Sequence, residues 1–266
     1  MAQLGKHTNI KLEEEFLRNV ILKSILKIRV NFPGELVIAC DSRSYWRKEV
    51  FPYYKANRKK TREKSELDWT TIFKIFDVLK SELFENFTYP VIEIFNAEAD
   101  DVIASLVFGN YGADKNIMIL SGDKDFMQLQ KYPNVRQYDF VQKRFISAAD
   151  PTLYLKEHII RGDIGDGIPN YLSPDNCLVV GERQKSIMAI RVKEWLELSP
   201  EEFCTADTFR NYKRNEQLID LKNIPKDISL EIMKSYESQK DKPKNKMFGY
   251  FVKNNLRELL GSVHSF

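Results

Sequence analysis

Asp123 and Asp125 stand one residue apart, directly after the apolar run Ile117-Met118-Ile119-Leu120. A run of this length and composition suits a buried parallel strand, and Ser121-Gly122 stops it where the two carboxylates emerge. Fixing two like charges at a strand end works against stability, and a divalent cation with oxygen ligands is the chemistry that offsets it. For this stretch taken alone, a solvated Asp-Lys-Asp turn is the competing reading. The pattern recurs at two other strand ends, with Asp41 after Leu36–Cys40 and Glu98, Asp100 and Asp101 after Pro90–Phe95. Three acidic strand ends favour a metal site, although a carboxylate at Asp100 or Asp101 singly also suits a helix N-terminus. A further pair, Asp163 and Asp166, lies in the glycine-rich stretch Arg161–Pro169.

The elements that must position these acids follow from apolar spacing. Residues 11–30 carry an amphipathic stripe, 36–40 read as a strand, and 66–87 return to helical spacing. Residues 90–95 are a second strand, Val102, Ile103, Leu106 and Val107 form the inner face of a helix, and 117–120 are the third strand. Residues 135–145 alternate and supply one or two more strands near a sheet edge. Strand-helix-strand order predicts an α/β fold with a parallel sheet covered on both faces, whose ligands lie beyond the strands' carboxyl ends. After Asp150-Pro151 the pattern is helical, with helices near 151–161, 185–197, 200–205, 207–221, 226–239 and 247–260. Two domains are expected: an α/β catalytic domain over 1–150 with a basic arch at 43–66, and a helical DNA-binding domain over 151–266.

Of 266 residues, 43% are hydrophobic and 30% charged, as in a globular protein. No apolar run approaches the ~18 residues that span a bilayer, and the start has no signal-peptide core. Cys40, Cys177 and Cys204 are scattered, which fits free thiols in a reducing cytoplasm. The net charge of +3 conceals an asymmetry: residues 43–64 hold nine basic side chains against two acidic ones, leaving the remainder net acidic. Such a segment suits nucleic acid, and Trp46, Tyr53 and Tyr54 among its cations are candidates to stack on unpaired bases. His7, His158 and His264 read as bystanders.

Tyr54-Lys55-Ala-Asn-Arg58, Glu98-Ala-Asp100-Asp101, Ser121-Gly-Asp123-Lys-Asp125 and Gly162-Asp163-Ile-Gly-Asp166 together resemble the 5′-nuclease superfamily, which includes flap endonucleases and the 5′ nuclease domain of bacterial DNA polymerase I. The stretch from Trp46 to Lys64, the K-Y-P-N-V-R-Q after the third strand, Gly181-Glu182-Arg183 and the ending Y-F-V-K-N-N-L are similar to its T-even bacteriophage branch, 5′ to 3′ exonucleases with ribonuclease H activity. The resemblance implies a parallel-sheet core and a Mg2+-dependent phosphodiester hydrolase with two ions, for which Mn2+ can substitute. It places Asp41, Glu98, Asp100, Asp101 and Asp123 at the first ion, and Asp125, Asp163 and Asp166 at the second. Lys55 and Arg58 match the residues that position the scissile phosphate. Arg43, Trp46, Arg47, Lys48, Tyr54, Lys59, Lys60, Arg62, Arg183 and Lys185 are the further candidates for contact with nucleic acid.

The implied substrates are RNA–DNA hybrids and DNA with a 5′ overhang or flap, cut to remove RNA primers and adjacent DNA during phage replication in the host cytoplasm. The implied protein partners are a single-stranded DNA-binding protein and a sliding clamp, with the enzyme itself a monomer and no membrane involved. The family opens on a strand bearing a metal-binding Asp, whereas this chain opens on the helix that follows it. A chain of this extent is therefore expected to bind its first ion weakly and to be a poor nuclease, or a nucleic-acid-binding remnant. A ribonuclease of the PIN type shares the acidic strand ends but lacks the long helical carboxyl half.

Overall fold

The computed structural model describes residues 10–58, 62, 65, 67–109, 115–240, 242–243 and 246–266. Lys59, Lys60, Thr61, Glu63, Lys64 and Glu66 of the expected arch lie outside them. By contact density the chain forms two units, Met1–Ala39 with Thr61–Ile92 and Lys234–Phe266, and Cys40–Lys60 with Glu93–Met233. Among the described residues no helix is long and apolar enough to cross a membrane.

In the first unit, α1 (Ile10–Asn31) and α3 (Trp69–Asn86) pack through Leu17, Ile75 and Leu79. Asp68 caps α3 by accepting from the Thr71 backbone N–H at 3.1 Å. Strands β1 (Ile38–Ala39) and β2 (Val91–Ile92) pair in parallel, Ile38 opposite Val91. Both are shorter than the apolar runs 36–40 and 90–95. The Gln239 carboxamide, on α10 (Lys226–Gln239), accepts from Val91 N–H at 3.0 Å and donates to Val91 C=O at 3.1 Å, engaging both backbone groups as a neighbouring strand would.

In the second unit, α2 (Trp46–Val50) precedes α4 (Ala99–Phe108), and β3 (Ile117–Leu120) leads through a 3-10 helix (Lys124–Lys131) to β4 (Val135–Asp139). β3 and β4 are parallel, and β5 (Arg144–Ile146) returns antiparallel to β4, so the alternating stretch after residue 135 does supply two strands. The helical remainder is α5 (Pro151–Arg161), α6 (Cys177–Val180), α7 (Ala189–Glu197), α8 (Pro200–Phe203) and α9 (Ala206–Ile219). Ile159, Ile160, Ile168, Tyr171 and Tyr212 share one core there with Phe51 and Tyr54. Beyond α10, the helix expected over 247–260 breaks into α11 (Met247–Lys253) and α12 (Arg257–Leu260), because Asn255 adopts φ 55°.

One polar group within the first unit is testable. The Glu82 carboxylate receives Arg18 Nε and Nη2 at 2.8 Å each and the Tyr250 hydroxyl at 2.7 Å. Burial raises its pKa, but these donors outweigh that and hold Glu82 below its ordinary value. The stability it adds is therefore complete above the unfolded pKa of about 4.3 and is lost as pH falls through the folded value. Glu82→Gln should cost about 1–3 kcal/mol at pH 7 in urea unfolding, with the gap to the parent narrowing below about pH 4.

Candidate metal and nucleic-acid site

All of the described carboxylates singled out by sequence belong to the second unit. The turn after β3 is held by its own polar groups. Ser121 Oγ accepts from Asp123 N–H at 3.1 Å, Asp123 Oδ1 accepts from Asp125 N–H at 3.0 Å, and buried Gln137 donates to the Ser121 and Asp123 carbonyls. A Cβ at Gly122 would lie 3.0 Å from Asp139 Oδ2, so any larger residue there would press on that buried side chain. Asp123 and Asp125 are thus held at a strand end, as their spacing predicts.

The loop after α5 is built on a second glycine. Gly162 has φ 66° and ψ −174°, a conformation open essentially to glycine alone, and a Cβ would lie 2.4 Å from the Ile168 carbonyl. The turn closes through Ile168 N–H to Asp163 C=O at 2.7 Å and Asp166 N–H to Asp163 Oδ1 at 3.1 Å. It docks onto the Tyr53–Lys55 turn, where Lys55 N–H donates to Asp166 C=O at 2.7 Å. Lys55 itself adopts φ 54°, a left-handed strain for a non-glycine residue.

α4 separates adjacent acids. Asp101, with no exposed surface, closes the helix start by accepting from Glu98 N–H at 2.9 Å. Its Oδ2 also accepts from Arg47 Nη1 at 3.0 Å and from Trp46 Nε1 at 3.2 Å, and Arg47 Nη2 stands in ion-pair contact with Oδ1 at 2.8 Å. Arg47 Nη1 reaches Glu98 Oε2 at 2.8 Å, while Arg47 Nε donates to the Leu218 carbonyl at 2.9 Å. Asp101 is consumed by this ion pair. Asp100, on the next face of the helix, instead lines a narrow cleft with Asp125, Asp163 and Asp166. The cleft adjoins an open cavity of about 780 Å3 lined by Asp123, Asp125, Tyr154, His158, Arg161 and Asp163. Asp41 is exposed, and its Oδ1 accepts from Ala99 N–H at 2.8 Å beside Asp100.

The crowding shows in the proton affinities. Burial first, then the charges of Asp123 and Glu98, push Asp100 up to about 8. Asp125 is pushed up to about 7 by burial and by Asp123, Asp163 and Asp166, with His158 opposing. Asp163 is held below its ordinary value, chiefly by the His158 imidazole, whose Nε2 stands 3.5 Å from Asp163 Oδ2. His158 is raised: burial works against protonation, and Asp163 and Asp125 outweigh it. Sequence spacing set this histidine aside, yet it stands between Asp125 and Asp163 and forms with them a three-residue set able to hold a metal ion. The signal available was its place on a helix that ends at Gly162, one residue before Asp163.

Three expected nucleic-acid contacts are corrected. Trp46, Arg47 and Tyr54 are only 2–4% exposed, so none can stack on a base or reach a phosphate. Their polar ends face inward to the acids: the Tyr54 hydroxyl lies 2.9 Å from both Glu98 Oε2 and Asp166 Oδ2. Lys55 Nζ is paired with Glu98 and lies 3.4 Å from Asp166, whereas Arg58, nearly half exposed, bonds Asp166 Oδ1 at 2.6 Å. Arg43, Lys48, Arg62, Arg183 and Lys185 are exposed.

A family model described as the 5′-3′ exonuclease N-terminal resolvase-like domain matches residues 6–158, and one described as the T4 RNase H C-terminal domain matches 150–266. Ribonuclease H of Enterobacteria phage T4 is 32% identical over 97% of this chain and 88% of its own length. Flap endonuclease Xni of Shewanella sp. strain MR-4 is 30% identical over 53% of this chain and 54% of its own. Among solved structures, the phage T5 D15 protein co-crystallised with metal ions has a TM-score of 0.62 at 18% identity, covering 84% of this chain and 91% of that one. A T5 D15 flap endonuclease complex with DNA and metal ions has a TM-score of 0.59 at 17% identity, covering 84% and 90%.

If Arg47 neutralises buried acid, replacing it should act on folding. Arg47→Met leaves Glu98 and Asp101 uncompensated and is expected to cost about 3–5 kcal/mol in urea unfolding. A phosphate-contacting Arg47 would instead leave stability unchanged and flatten the salt dependence of DNA binding.

Proposed function

Because the chain belongs to the 5′-3′ exonuclease family, and is therefore a nuclease that hydrolyses phosphodiester bonds, we propose that it uses Mg2+ to remove RNA primers and adjacent DNA from 5′ ends during phage replication in the infected cell. Its substrates are RNA–DNA hybrids and DNA with a 5′ overhang or flap. The observation that carries this reading is the meeting of Asp100, Asp125, Asp163 and Asp166 in one cleft, with protons retained on Asp100 and Asp125 to about 8 and 7. Carboxylates so crowded fit divalent cations, since only added positive charge lets all of them ionise near neutral pH.

Asp41, Glu98, Asp100 and Asp123 would hold or border one ion, and Asp125, Asp163 and Asp166 the other. Asp101 belongs to the first group in position, and its pairing with Arg47 supports a role as buttress. When bound, a pair of such ions supplies an activated water and stabilises the leaving oxygen. The half-exposed guanidinium of Arg58 can exchange Asp166 for a substrate phosphate, binding it bidentately. Lys55, held by its left-handed turn between Glu98 and Asp166, sets the charge balance beside that phosphate. Arg43, Lys48, Arg62, Arg183 and Lys185 supply exposed positive charge along which nucleic acid is guided. A cleft that keeps these carboxylates together argues against a non-catalytic binding remnant.

A 5′-labelled flap duplex tests the reading. Asp125→Asn should reduce cleavage by more than about 10²-fold, with DNA affinity unchanged or tighter, and chelation should stop the parent enzyme. Arg58→Ala should weaken binding and lower the salt slope by roughly one. Normal cleavage by Asp125→Asn would remove the proposed role of the cleft.

A further inference from the structure

His158 faces a carboxylate at each ring nitrogen. Nδ1 lies 3.5 Å from Asp125 Oδ1, and Nε2 lies 3.5 Å from Asp163 Oδ2. Both distances exceed those of a good N–H···O bond, and Nδ1 is shut from solvent without a hydrogen-bond partner. One ligand atom from each of Asp125, His158 and Asp163 lies within 4.8 Å of the others. Donors at about 2.0–2.3 Å from a shared ion stand at comparable separations.

The ring has little freedom to move elsewhere. The His158 carbonyl accepts from Gly162 N–H at 2.8 Å, and Tyr154 packs on the imidazole at 5.9 Å between centroids. Fully buried Asn215 donates to the carbonyls of Ile159 and Pro169 at 2.9 Å each, tying the helix that bears His158 to the end of the Asp163 loop. The backbone that carries the imidazole is therefore fixed relative to the Asp163 loop.

We propose that His158 supplies a ring nitrogen as a ligand to the ion held by Asp125 and Asp163, giving that position a preference for first-row transition ions such as Co2+ over Mg2+. The inference rests on the metal-site reading above and adds its donor set. Oxygen-only sites suit Mg2+, whereas an imidazole nitrogen favours ions later in the first row. The remaining acids, Asp41, Glu98, Asp100 and Asp123, offer only oxygen, so the two positions differ in the ion they select.

The test uses the full chain and no activity measurement. With Co2+ bound, the 1H spectrum should contain an exchangeable imidazole N–H resonance shifted far outside the diamagnetic range. His158→Gln should abolish it, although His7 and His264 remain. Co2+ affinity of the Asp125–Asp163 position should fall about 10-fold or more by calorimetry, while Mg2+ affinity stays nearly constant. Co2+ bound in a manner sensitive to Asp125→Asn, but without the shifted resonance in the parent chain, would overturn the ligand assignment and leave the metal site intact. Failure of both Co2+ and Mg2+ to bind in a manner sensitive to Asp125→Asn would overturn the site and the inference together.

Discussion

Mutual repulsion among half-buried carboxylates is the constraint on which the second unit turns. The chain answers it in two ways within a few ångströms. On one side Arg47, itself buried, satisfies Glu98 and Asp101 and turns them into structure. On the other, Asp100 and Asp125 are buried against the charges of neighbouring carboxylates with less compensation, and both keep their protons to unusually high pH. The first arrangement holds the second in place: Trp46, Arg47 and Tyr54 all direct polar atoms at the acids from behind.

Holding like charges together also requires rigid backbone, and buried amides provide it. Gln137 fixes the turn after β3, Gln128 bridges the Ile219 carbonyl at 3.1 Å and the Leu221 N–H at 3.0 Å, and Asn215 joins α5 to the loop that follows it. Arg214 adds a bond to the Pro169 carbonyl at 2.9 Å and pairs with Asp175. Each satisfied amide spares a buried backbone group its desolvation penalty while restricting the loop that carries a carboxylate.

Much of this was legible in the chain because the signals are local. Ile117–Leu120 followed by Ser-Gly predicts a strand end, and Asp150-Pro151 predicts the start of α5, where Asp150 Oδ1 does accept from Thr152 and Leu153 N–H. What sequence could not separate was Asp100 from Asp101. They are neighbours in one helical turn, and only the placement of Arg47, more than fifty residues away in the chain, decides which is buttress and which faces the cleft. The same distance misled the reading of Trp46 and Tyr54: aromatics among cations resemble a stacking surface until their acidic partners are located. His158 escaped because its relation to Asp125 crosses thirty residues and depends on the Gly162 turn.

Counting protons shows whether the cleft is poised for divalent cations because its carboxylates cannot all ionise alone. Mg2+ is titrated calorimetrically into the full chain in buffers of differing ionisation enthalpy. With Asp100 near 8 and Asp125 near 7, binding at pH 7 should release protons, and the release should fade by about pH 9, where both groups are already ionised. Binding at pH 7 without proton release, or no binding at all, would contradict the account.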